Sequence, residues 1–254
     1  PVYPGDTLSA QSDVIGVKEN SNGKTGVVWV RTTGTNQRGE EVLSYVRWVM
    51  VRKGDEAAPA PAPLIPDLPA AVAPADLSVP ACLTLAAYDE IAAGSAHFWD
   101  DYAIGETIDH VDGMTLEEAE HMLATRLYQN TAKVHFDLHA QKGGRFGKRL
   151  IYGGHIISLA RGLSYNGLAN AFHIAAINGG RHVAPSFAGD TVYAWSEVLD
   201  KAALPGRDDV GALRLRLVAA KDHPCADFPL TDADGKDHPA VVLDVDIWAL
   251  MPRR

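Results

Sequence analysis

Pro185-Ser-Phe-Ala-Gly-Asp-Thr-Val-Tyr-Ala-Trp-Ser-Glu-Val-Leu199 restates, 184 residues on, the segment Pro1-Val-Tyr-Pro-Gly-Asp-Thr-Leu-Ser-Ala-Gln-Ser-Asp-Val-Ile15. Seven of the fifteen positions are identical (Pro, Gly, Asp, Thr, Ala, Ser, Val), and four more are conservative exchanges. Self-similarity at a fixed offset is the signature of a repeated structural unit. Each copy is a Gly-Asp turn feeding alternating positions, the pattern of a turn into a strand. Two strand-like runs follow each copy. After the first they are Thr25–Thr33 and Glu41–Arg52; after the second, Ala212–Ala220 and Ala240–Leu250. Both copies therefore predict a three-stranded antiparallel unit.

Between the copies, residues 54–80 are rich in proline and alanine and carry neither helical nor strand periodicity, which predicts a stiff, extended linker. Residues 81–254 contain elements that residues 1–53 lack. Thr115-Leu-Glu-Glu118 has the form of a capping box, with Leu116, Ala119, Leu123 and Leu127 at helical spacing. Gly153-Gly154 leads into a longer helix over His155–Gly167, with Ile156, Leu159 and Leu163 as its apolar stripe, and Ala171–Ile177 reads as a strand. This order predicts an α+β domain with an antiparallel sheet. Residues 1–53 are then the trailing half of a similar domain whose helical leading half lies outside the sequence.

Composition limits the function classes. The 254 residues are 46% hydrophobic and carry 23 Lys plus Arg against 32 Asp plus Glu, a formal net charge of −9. That sign argues against nucleic acid as a partner, because binding phosphates needs a basic face. No apolar run approaches the roughly 20 residues that cross a bilayer. Cys82 and Cys225 cannot build a disulfide framework or a multi-cysteine zinc site, and a reducing, cytoplasmic compartment is the expectation.

Two stretches invite chemistry. In Arg126-Leu-Tyr-Gln-Asn-Thr-Ala-Lys-Val-His135 a helix gives way to a loop, and Asn130 stands five residues before His135 and four after Arg126. In Phe146-Gly-Lys-Arg-Leu-Ile-Tyr-Gly-Gly-His155, paired glycines at a helix start would let a ligand approach the backbone, where free N–H groups stabilise negative charge. Each has a plain alternative. His135 could be structural, Tyr152 and His155 could pack on the sheet, and Arg181 could be a solvated turn residue. The remaining histidines (His97, His110, His121, His139, His173, His182, His223 and His238) are too scattered for a metal site to be expected. His135 and His139 lack the context of a ligand pair, so no metal is expected.

These segments, in this order and with the repeat, resemble the MaoC-like acyl-CoA hydratases, whose hotdog fold wraps an antiparallel sheet around a long helix. The wording YQNTAKVHFD, RFGKRLIYGGHIISLARGLS, AAINGGRH and PSFAGDTVYAWSEVL is closer still to the mesaconyl-CoA hydratases (β-methylmalyl-CoA dehydratases). The resemblance covers nearly the whole sequence. It implies a double hotdog: trailing strands of the first hotdog in 1–53, the linker in 54–80, and a complete second hotdog carrying the active site in 81–254. Relative to that family, roughly the first hundred residues are not in this sequence, by the size of the missing half-domain.

The resemblance also implies reversible hydration of mesaconyl-CoA to β-methylmalyl-CoA, with no cofactor beyond the CoA of the substrate, and a homo-oligomer. His135 matches the motif His and Gly153 the motif Gly, while Ser158 matches a Ser on the long helix. Asn130 stands where the broader family has an Asp, and Tyr152 where a His precedes the Gly, so an Asp/His acid–base pair does not carry over intact. His135 is expected to be the acid–base group, Asn130 to position water, and the Gly153 N–H to bind the thioester oxygen. Tyr152, Gly154, His155 and Ser158 are expected around the substrate. Arg126, Arg161, Arg181 and His155 are candidates for its distal carboxylate, Arg126 being favoured by its position one turn before Asn130, and an arginine among them could bind the CoA phosphates instead. The competing expectations are a hydratase for another dicarboxylic enoyl-CoA such as itaconyl-CoA, a hotdog thioesterase, and a non-catalytic acyl-CoA binder.

Overall fold

Both copies of the repeat are followed by the expected strands. In a computed structural model that describes all 254 residues, the chain divides into two units, Pro1–Pro69 and Ala70–Arg254. In the first unit, β1 (Ser9–Glu19), β2 (Thr25–Thr35) and β3 (Glu41–Arg52) form an antiparallel sheet in the order β1-β2-β3. Gly16 is where the sheet admits a crossing chain. A Cβ there would lie 2.6 Å from Pro66 and 2.7 Å from the Leu64 carbonyl, and Leu64 bridges Val17.

The second unit holds the short helix α1 (Glu90–Ala93) and the short strands β4 (Thr107–Asp109) and β5 (Met114–Thr115). Next come α2 (Glu118–Leu127), the one-turn helices α3 (Lys133–Phe136) and α4 (Leu138–Gln141), then α5 (Gly153–Leu163) and α6 (Tyr165–Leu168). The strands β6 (His173–His182), β7 (Thr191–Ala203), β8 (Val210–Lys221) and β9 (Val241–Pro252) complete it. The sheet order is β4-β7-β8-β9-β6, with β5 also paired to β7 and all pairings antiparallel.

The repeat extends to its irregularities. The β1–β2 ladder shifts register between Val14 and Gly16, and β7–β8 shifts between Val198 and Asp200, at the same offset of 184. The β2–β3 ladder shifts between Gly34 and Thr35 opposite Leu43, and β8–β9 shifts between Ala219 and Ala220 opposite Leu243. A bulge bends and twists a strand in a defined way. Two bulges in corresponding places are therefore a structural repeat, not a shared turn.

The apolar stripe of α5, Ile156, Ala160 and Leu163, packs on Val192, Ala194 and Val198 of β7 and Leu213, Leu215 and Leu217 of β8. Burial of each large aliphatic contributes about 1.5–3 kcal/mol. Alternation sends the even positions of β8 and β9 to the other face. There Ala212, Trp248 and Leu250 meet Leu77, and the Trp248 indole N–H donates to the Val72 carbonyl at 3.0 Å. Residues 70–80 thus lie along the second unit's sheet, while residues up to 69 belong with the first. No helix is long and apolar enough to cross a membrane.

Three local expectations are corrected. Thr115 is a strand residue. The start of α2 falls instead at Glu117, whose N–H is held by the Glu120 carboxylate at 3.1 Å. Leu123 and Leu127 point outward, 60% and 68% exposed, and α2 buries His121 and Thr125 in their place. The long helix ends at Leu163 rather than Gly167, because Gly167 adopts φ +93° and its carbonyl accepts the Tyr102 hydroxyl at 2.6 Å.

Candidate active site

At the start of α5, four histidines from different elements converge. His121 comes from α2, His135 from α3, His155 from α5 and His182 from the end of β6. The His121 ring centroid lies 6.4 Å from that of His135 and 6.3 Å from that of His155, and His135 stands 5.6 Å from the Tyr152 ring. His182 rests on Gly153 so closely that a Cβ there would be 2.3 Å from its Nε2.

Hydrogen bonds fix the states of two rings. The Leu150 carbonyl accepts from His135 Nδ1–H at 2.9 Å, so the neutral ring keeps its lone pair on Nε2. His121 Nε2 accepts the Tyr152 N–H at 2.9 Å, which requires its proton on Nδ1. His121 is 1% exposed; burial, then the nearby His155 and His135, push its pKa down to about 4. His182 is lowered as well, by burial first and His135 second, although its residue retains an open edge. His155 Nε2 lies 3.2 Å from the Glu120 carboxylate. No three His, Cys, Asp or Glu side chains are grouped to hold a metal ion.

Tyr152 is the N-cap of α5, and the first intrahelical acceptor is its carbonyl, taking the His155 N–H at 2.9 Å. The N–H groups of Gly153 and Gly154 have no protein acceptor, as expected of the first turn of a helix. They stand at the positive end of an 11-residue helix whose N-cap, Tyr152, is the residue that meets the His135 ring. The reason for the two glycines differs from the expected one. The protein's own rings, not a ligand, crowd their Cα atoms: His182 over Gly153, and Tyr152 over Gly154, where a Cβ would fall 2.6 Å from the ring.

The other expected residues spread out. Asn130 and Arg126 line one cleft of about 310 Å³ with Met122, Thr125, Gln129 and Phe136. The Asn130 side-chain oxygen accepts the Ala132 N–H at 2.9 Å, leaving its NH₂ group for a ligand. Ser158 is exposed on the α5 face shared with Gly154 and His155. Arg161 is not brought to the cluster. It ties the opposite end of α5, donating to Ser164 Oγ at 2.7 Å and to the Ala171 carbonyl. Arg181 is spent on a bidentate pair with Asp237, at 2.6 and 2.5 Å, and also faces Asp244. Among the histidines too scattered in the sequence to suggest a metal, the fold brings His121 and His182 to the start of α5. Their signal in the sequence was faint: a His at an inward position of α2, and a His ending the strand whose Asn178-Gly-Gly180 precedes Arg181-His182.

No protein-family profile matches the chain. Two curated relatives match all of it: the β-methylmalyl-CoA dehydratase of Chloroflexus aurantiacus, 65% identical over 253 residues, and the mesaconyl-CoA hydratase of Cereibacter sphaeroides, 66% identical over 255. The chain covers 72% of each. The chain belongs to the mesaconyl-CoA hydratase (β-methylmalyl-CoA dehydratase) family. A crystal structure from Chloroflexus aurantiacus, described as a MaoC domain protein dehydratase, superposes over the whole chain with a TM-score of 0.96 at 65% identity and is covered to 72%. A Mycobacterium tuberculosis protein described as a double hotdog fold matches 98% of the chain at 26% identity, with a TM-score of 0.67 and 70% of its own length covered. The α+β hotdog reading therefore stands.

Proposed function

We propose that this chain hydrates mesaconyl-CoA reversibly to β-methylmalyl-CoA, as a hydro-lyase. The two relatives are named for the two directions of one reaction, which supports the substrate. The observation that carries the chemistry is the His135 ring, held by the Leu150 carbonyl and 5.6 Å from the ring of Tyr152, the N-cap residue of α5. In this reading Nε2 takes a proton from water as oxygen adds to the β-carbon of the enoyl thioester. The protonated ring then returns a proton to the α-carbon. Negative charge that develops on the thioester oxygen is held by the Gly153 N–H.

Asn130 orients the water through its NH₂ group. Arg126, exposed on the same cleft as Asn130 and without an ion pair, meets the distal carboxylate through a charge-assisted contact. Residues 81–254 carry this site. The acid–base chemistry needs no cofactor beyond the substrate's own CoA. Two cysteines are too few for a disulfide framework, which suits a reducing cytoplasm. A homo-oligomer would cover surface such as Trp48 and Met50 of β3, 58% and 65% exposed.

The test is turnover of mesaconyl-CoA, followed by loss of the enoyl thioester absorbance, in wild type and His135→Ala. The variant is expected to lose at least about 10²-fold in kcat with its fold retained. Turnover within a few-fold of wild type would remove His135 from the reaction, and release of free thiol would mark a thioesterase instead.

A further inference from the structure

In a protein with formal net charge −9, residues 126–149 run against the trend, with six of the 23 Lys and Arg side chains and one carboxylate, Asp137. That carboxylate is occupied in capping α4, where it accepts the Ala140 N–H at 2.9 Å. Of the six cations, Arg149 pairs with Glu118 on α2. Lys142, Arg145 and Lys148, in the loop between α4 and Leu150, are exposed and have no ion-pair partner.

Two of these cations lie over aromatic rings. The Arg145 guanidinium is 5.1 Å from the Phe146 centroid, and Lys148 Nζ is 4.1 Å from that of Phe187. The two rings themselves meet edge to face at 5.3 Å. Carboxylates around this shelf are already engaged: Asp190, beside Phe187, pairs with Lys221 at 3.3 Å. Phe146 is exposed and Phe187 is buried, and an exposed ring flanked by unpaired cations suits a ligand with a planar base and phosphate groups.

The loop's position relates it to the reaction site. Its end, Leu150, supplies the carbonyl that holds His135. The next residue, Ile151, donates its N–H at 3.0 Å to the carbonyl of Ser186, the residue before Phe187. The shelf is therefore tied to the start of α5 on both sides. Five residues separate Lys148 from Gly153, a chain reach of at most about 17 Å.

We propose that the loop 142–149, with Phe146 and Phe187, is the docking site for the nucleotide end of the CoA thioester. Arg145 and Lys148 meet its phosphates and the exposed Phe146 ring takes its adenine. The inference rests on the hydratase reading for its ligand, but its probe does not depend on turnover.

That probe is adenosine 3′,5′-bisphosphate, titrated calorimetrically into wild type and the Arg145→Ala/Lys148→Ala double variant at low and high salt. Wild type is expected to bind it more weakly as salt rises, and the double variant to bind it at least about tenfold more weakly at low salt, since each charge-assisted contact is worth that much. In parallel, kcat/KM is compared for mesaconyl-CoA and for the mesaconyl thioester of pantetheine, which lacks the nucleotide. The variant is expected to lose the preference for the CoA thioester. Equal probe affinity in both proteins, or equal losses for both thioesters, would overturn the docking site. Wild type that binds the probe through the loop without hydrating mesaconyl-CoA would support the docking site and overturn only the hydratase reading.

Discussion

At Gly153 a single missing Cβ lets two elements touch. The His182 ring occupies the space a side chain would need, with its Nε2 2.3 Å from where the Cβ would stand. Real Cβ contacts are never that short, so Gly153→Ala must displace His182 or the first turn of α5. Overpacking of this kind typically costs about 1–3 kcal/mol. Urea unfolding is expected to show that loss for Gly153→Ala, and to show most of it restored in Gly153→Ala/His182→Ala, where the obstructing ring is gone. An alanine variant as stable as wild type would mean that the ring moves aside freely. The same logic explains the tyrosine before it: Gly154 lets the Tyr152 ring fold back over the helix start.

Among the elements, α2 shows what the sequence made legible and what it hid. The repeat was readable because strand alternation and the Gly-Asp turn are local, and the structure extends it to two pairs of bulges. The inward face of α2 is not legible from leucine spacing, because what it meets is the backbone of Tyr152. His121 sits there to accept the Tyr152 N–H, a task no leucine performs. The resemblance singles out His135 and Gly153, whereas His182 reaches the cluster only through the pairing of β6 with β9, a long-range relation that no local pattern encodes. If this account of α2 is right, His121→Leu leaves a buried N–H without a partner and costs about 1–3 kcal/mol. It should also lower kcat, since the Tyr152 backbone sets the angle of the Gly153 N–H. Unfolding curves and turnover unchanged in that variant would reduce His121 to packing.

For the whole molecule, the buried histidines govern how stability responds to acid. His110 is fully buried, with Nδ1–H donating to the Asn166 carbonyl at 2.6 Å and Nε2 2.8 Å from Ser196 Oγ; burial pushes its pKa down to about 4. His121 is pushed to about 4 as well. In the unfolded chain a histidine titrates near 6.5. Above that pH both rings are neutral in either state, and their contribution to stability is complete. Between about 6.5 and 4 the unfolded chain binds protons that the folded protein refuses, so stability falls as pH falls, and it levels off below 4. The carboxylates held low by arginines, Asp101 by Arg254, Asp209 by Arg207 and Asp237 by Arg181, start from 3.8 and lose their contribution only below that window. From pH 7.5 to 5 each histidine should therefore remove about 2 kcal/mol. Urea unfolding across that range is expected to show about 4 kcal/mol lost in wild type. In His110→Gln, which is less stable at pH 7.5, about half of the pH dependence should disappear. A wild-type stability that stays flat from pH 7.5 to 5 would mean that these rings accept protons while folded, and that the neutral histidines on which the α5 site depends are not held neutral by the fold.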